Sequence, residues 1–232
     1  MTTRQPSWII KLFTYIRDSR LVWDVMGSIY NRRIYNAIVE LYAHITQELQ
    51  NQGNARILDA GSGRGYISFM LAVKNPRAMI TGIDYSYMQV REAEKHRQKT
   101  KIVNCSFSRI NVMNIRFQDA LFDAAVSVGS IKHWPDALKG LREIHRVLKP
   151  GGQLIISETD QRASDGALRQ FLSRFKIWFI PDKLLFWGLR HVVFGQSYSE
   201  ATLAAAVREA GFRQVECQRV ATCPYVIVKA QK

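Results

Sequence analysis

The chain has 232 residues, 47% of them hydrophobic, which suffices for one sizeable core and excludes a disordered or low-complexity protein. Lysine and arginine number 33 against 19 acidic residues, a net charge of +14, so an acidic partner such as nucleic acid or an anionic membrane face has to be considered. The three cysteines, Cys105, Cys217 and Cys223, show neither metal-ligand spacing nor a disulfide framework, and point to a reducing cytoplasm without a bound metal.

Residues 1–52 read as N-terminal helices. The apolar stretch after Pro6 is interrupted by Lys11 and Arg17, so it lacks a signal-peptide core. No run of about 18 apolar residues is present to span a membrane. Trp8 to Arg17 is basic, aromatic and amphipathic, a style suited to an anionic bilayer surface. Strands then alternate with helices and are expected near 56–60, 79–84, 102–107, 122–128, 153–158, 213–219 and 223–230. Ser197-Tyr198-Ser199-Glu200 is expected to cap the last helix, and Gly211 to end it. The link between the last two strands is too short for a crossover helix, which makes them antiparallel. The expectation is a single α/β domain with a Rossmann-like, seven-stranded mixed sheet and helices on both faces. A ligand belongs at the carboxyl ends of the first strands. Residues 160–197 form an insert, expected to be a helical cap broken by Pro181.

Ile57-Leu58-Asp59-Ala60-Gly61-Ser62-Gly63-Arg64-Gly65 is an apolar run ending in an acid, followed by glycine at every second position. Glycine permits a tight turn and close approach of a ligand to the backbone, and the following helix offers a positive dipole end. Tyr66 stands where a dinucleotide-binding loop needs its last glycine, and no Gly-Lys-Ser/Thr closes a phosphate loop. A second apolar run, Ile80-Thr81-Gly82-Ile83, ends in Asp84, 19 residues after Gly65. A carboxylate there can accept from two neighbouring hydroxyls, as in ribose recognition, or serve as a helix N-cap. A third region holds Phe122-Asp123 at a strand start, His133-Trp134-Pro135-Asp136, and Arg146-Val147-Leu148-Lys149-Pro150-Gly151-Gly152. Pro150 is expected to end a helix there, with the two glycines turning into the strand at 153.

Asp59-x-Gly61-x-Gly63-x-Gly65 resembles motif I of the class I S-adenosylmethionine (SAM) methyltransferases. The third region resembles the type that includes the ubiquinone and menaquinone biosynthesis enzymes. The resemblance covers roughly residues 54–160 and returns at Glu209-Ala210-Gly211-Phe212. It implies SAM as cofactor, held by Asp59, Gly61, Ser62, Gly63, Gly65, Asp84, Tyr85, Asn111, Val112, Met113, Val128 and Gly129. It places Tyr85 near the adenine. Asn111 stands where many relatives carry Asp, a departure that leaves a carbonyl oxygen to meet the adenine amino group. Ser28-Ile29-Tyr30-Asn31 resembles the segment that closes over cofactor in relatives, which adds Tyr30 as a contact or catalyst.

A general base is required only if the acceptor must lose a proton. His133, Glu158 and Tyr30 are the candidates, with bracing of a loop as the plainer role for His133. The other histidines, His44, His96, His145 and His191, fall in helical patterns and read as surface or packing residues. Acceptor choice is expected in the insert, where Leu168, Phe171, Leu172, Phe175 and Phe179 share a helical face. Phe171, Phe175, Trp178 and Trp187 are its candidate contacts. The insert reads as a lid packed on the domain, a cap over an apolar substrate, or a membrane-resting surface. The leading functional reading is methyl transfer by in-line displacement to a small, apolar or lipid-like acceptor. It takes place in the cytoplasm or peripherally at the inner membrane face. The alternatives are an RNA or protein methyltransferase using the basic surface, and a non-catalytic SAM-binding sensor or partner subunit. The positive charges spread along the chain with no nucleic-acid module, so nucleic acid ranks below a membrane surface.

Overall fold

The computed structural model describes residues 8–18, 35–174, 181–220 and 223–232. Helix α1 (Trp8–Asp18) and helix α2 (35–48) precede the sheet. Then follow β1 (Arg56–Ala60), α3 (Tyr66–Lys74), β2 (Met79–Asp84), α4 (Tyr87–Thr100), β3 (Cys105–Arg109) and β4 (Phe122–Val128). A 3₁₀ turn (Ile131–His133), α5 (Ala137–Val147) and β5 (Leu148–Thr159) come next. The insert contributes α6 (Asp165–Arg174), α7 (Asp182–Gly188) and a π-helix (Leu189–Phe194). Helix α8 (Glu200–Glu209), β6 (Arg213–Arg219) and β7 (Tyr225–Gln231) complete the chain.

The seven strands run in the order β3-β2-β1-β4-β5-β7-β6, and only β7 is antiparallel to its neighbours. Successive residues face opposite sides, and both sides are apolar. Ile57, Ile80 and Ile155 pack with α2, α3 and the insert. Leu58, Ile83, Leu154 and Ile156 pack with α5 and α8. The expected Rossmann-like sheet with helices on both faces is what the chain forms.

Three boundaries differ from expectation. The third strand begins at Cys105 rather than 102, because α4 runs to Thr100 and Lys101 caps it in the left-handed conformation. Asn104 then fixes the turn by donating to the carbonyls of Ala72, Asn75 and Ala78. Helix α5 ends at Val147, three residues before Pro150. Leu148 already pairs with Phe122, and pairing resumes at Ala124 with Gln153, so Lys149 to Gly152 bulge out of the ladder. A proline costs no ladder hydrogen bond in such a bulge. The capping box of α8 is made by Ser199 and Thr202, two residues after the pair expected from Ser197 and Glu200.

The Phe-Asp and Lys-Pro-Gly-Gly signatures meet at the amino edge of the sheet. Asp123 accepts from the Arg56 amide at 2.8 Å and from the Lys149 ammonium at 2.6 Å, tying the starts of β1, β4 and β5 together. Burial alone would raise the Asp123 carboxyl, but these two partners hold it below the usual carboxylate range. Arg146, from the same signature, donates to the carbonyls of Ile115 and Phe117 and pairs with Glu143 and Asp119. It thereby anchors the loop that leads away from Asn111.

Candidate functional site

A cavity of about 490 Å³ opens along the carboxyl edge of the sheet. One end is formed by the turns after β1, β2, β3 and β4. The other is formed by α2, the insert and the start of β7. The size lies within the usual range for small-molecule sites.

The first end is mostly backbone. Gly61, Gly63 and Gly65 all adopt positive φ, which only glycine does without strain. A Cβ on Gly61 would lie 1.9 Å from the Ser130 hydroxyl, and one on Gly65 would lie 2.3 Å from the Phe107 ring. The loop therefore needs these two glycines for its own packing. A Cβ on Gly63 meets nothing nearer than 4.0 Å, so that position is bare for contact with a ligand. The amides of Gly61 and Ser62 donate to the Ile83 carbonyl, and that of Gly63 donates to Asp84 at 2.9 Å. With these amides engaged, the loop offers a smooth surface instead of a phosphate cradle.

Asp84 also accepts from the Ser86 amide at 2.8 Å, and Ser86 itself is the N-cap of α4. The carboxylate thus clamps the glycine loop to β2 while lining the cavity. Asn111 accepts from the Met113 amide through its side-chain oxygen, a local turn that sets Val112 and Met113 on the cavity wall. The Ser62 hydroxyl is buried, lines the cavity and has no partner among the described residues.

Asp59 is 1% exposed and accepts from the Ser68 hydroxyl at 2.5 Å. Burial raises its carboxyl from 3.8 to about 7; the Ser68 bond opposes this and the charge of Asp84 adds to it. Tyr42, from α2, lines the same floor, and burial and the charge of Asp59 push its hydroxyl up. Tyr66 also lines it and stacks on Tyr35 with centroids 4.6 Å apart, which gives that non-glycine position its role.

Between the two ends stands the turn after β4. Gly129, Ser130, Lys132 and His133 line the cavity there. Lys132, its side chain 5% exposed, pairs with fully buried Glu158 at 2.6 Å and also donates to the Gly129 carbonyl. Burial would raise the Glu158 carboxyl, but the charge and hydrogen bond of Lys132 and the Thr159 amide outweigh it, and the group sits low. Trp134 donates to Ser130 at 2.9 Å and so braces the same turn from behind.

The second end is aromatic and aliphatic: Phe171, Leu189, Val193, Phe194 and Tyr225. Phe171, Phe194 and Tyr225 form a mutual ring cluster with centroids 5.9–6.3 Å apart. Leu168, Phe171 and Leu172 are the buried face of α6, so the insert packs on the domain.

Of the residues expected from sequence, Asp59, Gly61, Ser62, Gly63, Asp84, Tyr85, Asn111, Val112, Met113, Val128, Gly129, His133 and Phe171 line the cavity. Three others do not. Gly65 packs beneath the Phe107 ring. Glu158, expected as a candidate base, is buried behind Lys132 with its oxygens engaged. Trp187, expected as an acceptor contact, turns outward, edge-on to Phe13 at 6.1 Å. Tyr30, Phe175 and Trp178 lie outside the described residues. Tyr42, Lys132, Val193 and Tyr225 come from sequentially remote elements, and no local motif marks them. Among the other histidines, His145 packs on Phe212 and His96 on Phe69. No group of three or more metal-type ligands occurs among the described residues.

These features fit SAM: a bare glycine turn, an edge carboxylate, an unpartnered buried hydroxyl and adjoining apolar walls. The methyltransferase domain family matches residues 51–184. Demethylmenaquinone methyltransferase of Listeria monocytogenes is 27% identical over 230 residues, covering 93% of this chain and 91% of that protein. Sterol 4-C-methyltransferase of Caenorhabditis elegans is 31% identical over 129 residues, 54% of this chain and 37% of that protein. Among solved structures, a SAM-dependent methyltransferase from Aquifex aeolicus shares the fold with a TM-score of 0.62 at 19% identity, over 82% of this chain and 88% of that one. The cyclase SpnF does so with a TM-score of 0.64 at 22% identity, over 83% and 80%. The chain belongs to the methyltransferase domain family and is a class I methyltransferase that uses S-adenosylmethionine as its cofactor.

Proposed function

We propose that the enzyme methylates a small, apolar, lipid-like acceptor, with a quinone-type carbon or oxygen as the leading candidate. The observation that carries this reading is the ring-lined second end of the cavity, which presents apolar side chains to whatever lies beside the cofactor end. The name of the Listeria relative, a demethylmenaquinone methyltransferase, supports the quinone type.

Bound SAM supplies an electrophilic methyl group on a sulfonium, transferred in line to the acceptor. The glycine turn, Asp84 and the Asn111–Met113 segment hold the donor end. Phe171, Val193, Phe194 and Tyr225 exclude water and orient the acceptor. His133 lines the cavity between the two ends and is the side chain assigned to take a proton when the acceptor carries one. Glu158, locked on Lys132, holds the turn that presents His133 rather than meeting substrate. An acceptor of this kind partitions into lipid, so the enzyme is assigned to the cytoplasmic side of a membrane. No helix among the described residues is long and apolar enough to cross one.

The test is incubation of the purified enzyme with methyl-deuterated SAM and a short-chain prenylated hydroquinone, read by mass spectrometry. Appearance of the labelled methyl group in the hydroquinone is expected. Labelling of RNA or of a peptide mixture, with none in the hydroquinone or in a sterol, overturns the reading.

A further inference from the structure

We propose that α1 and α7 form a docking surface for an anionic lipid bilayer and set the apolar end of the cavity against it. The inference rests on the apolar-acceptor reading for its purpose, while its physical basis is separate. Five of the eleven exposed large hydrophobic side chains among the described residues sit on α1: Trp8, Ile9, Leu12, Phe13 and Tyr15. Trp8 is 73% and Tyr15 77% exposed. A helix of eleven residues that leaves its largest side chains in solvent forgoes the burial that stabilises ordinary surface helices. Tryptophan and tyrosine are the residues whose amphipathic rings favour the headgroup level of a bilayer.

The patch continues onto the insert. Phe13 meets Trp187 edge-on, and Leu184 on α7 is 59% exposed. Exposed Lys11 and Lys183 flank these side chains, and Arg169 lies over the Phe186 ring at 4.5 Å. Asp182 is the acidic residue at the start of α7, and the net charge of +14 outweighs it. A cationic protein with an aromatic face is complementary to an anionic bilayer. The connection to the site is the π-helix. Leu189, Val193 and Phe194 line the cavity, while α1 and Trp187 pack against the outside of the same segment. An acceptor dissolved in the bilayer would then meet the ring-lined end of the cavity first.

The experiment is co-sedimentation of the full chain with phosphatidylcholine vesicles, with and without phosphatidylglycerol. Binding is expected to the anionic vesicles, to fall about fivefold for each of Lys11→Gln and Lys183→Gln, and to fall at least tenfold in the Trp8→Ala/Tyr15→Ala double variant. Unchanged SAM binding by calorimetry and an unchanged melting temperature show that the exposed substitutions leave the fold intact. Failure of the unaltered protein to bind anionic vesicles overturns the proposal, as does undiminished binding by the double variant. Loss in the double variant of binding to RNA or to another protein, with vesicles ignored throughout, overturns it as well. Methylation of a short-chain hydroquinone in free solution is scored separately, so a failed docking surface and a failed acceptor assignment give different results.

Discussion

The two ends of the cavity are built by different means. The end proposed for the cofactor is made mostly of backbone: glycine turns at strand ends, with amides already bonded to Ile83 and Asp84. The end proposed for the acceptor is made of side chains from α2, α6, the π-helix and β7, held by ring contacts. Backbone turns admit few substitutions, because Cβ atoms collide or φ is forbidden. Ring-lined walls admit many, each reshaping the space. One end can therefore keep its ligand while the other changes its partner.

Lys132 joins the two ends, and removing it is the most damaging test of the division. Lys132→Met leaves Glu158 charged and buried, with an expected loss of about 3–5 kcal/mol in urea unfolding. Pairing it with Glu158→Leu should restore much of the stability. If the double variant is no better than the single, the pair is not the reason the turn holds. Gly61→Ala comes next. The added carbon meets Ser130 and the backbone is strained, for about 2–4 kcal/mol of stability, with SAM binding lost. By contrast Gly63→Ala meets no neighbour and is strained by its φ alone, for about 1 kcal/mol of stability, yet should bind SAM poorly. Equal unfolding of both variants would mean that the turn has no ligand-facing position.

The acidic floor sharpens the comparison through pH. Asp59 titrates near 7 in the folded protein and near 3.8 when unfolded, so the folded state holds the extra proton. Stability conferred by that proton is complete below about pH 4 and lost as pH rises through 7. Unfolding of the ligand-free protein should be about 2 kcal/mol more costly at pH 5.5 than at pH 8, and Asp59→Asn should flatten that slope. Asp84→Ala removes both the clamp on Gly63 and the edge carboxylate, weakening SAM binding by about 1–2 kcal/mol in calorimetry. Unchanged affinity would end its assignment to the cofactor. The smallest effect belongs to the acceptor end. Val193→Ala should leave SAM affinity untouched and raise acceptor KM, by about 1 kcal/mol in kcat/KM.

The same division explains what the sequence disclosed. The glycine-turn end of the cavity was legible because it sits in contiguous turns, Asp59 to Gly65 and Ile80 to Asp84, whose residue types are dictated by the backbone. The Phe122-Asp123 and Lys149-Gly152 signatures were equally visible, yet they lie at the opposite edge of the sheet from the cavity. They mark the family by tying strand starts together, not by touching a ligand. Tyr225 was not legible, because its place at the cavity follows from β7 pairing antiparallel beside Thr159. Lys132 reads as a solvated lysine until Glu158, 26 residues on, is folded against it. The end of α5 was misplaced because proline is the obvious stop signal, whereas Leu148 had already begun to pair with Phe122.

The Phe107 ring lies where side chains at two other positions would have to stand. A Cβ on Gly65 would come within 2.3 Å of it, and one on Gly82 within 2.5 Å. Residues 65, 82 and 107 sit on three separate elements but share one volume. They constitute a single unit of inheritance: enlarging either glycine requires a smaller residue at 107 in the same step, and a lineage cannot pass through the intermediates one at a time without loosening the glycine turn.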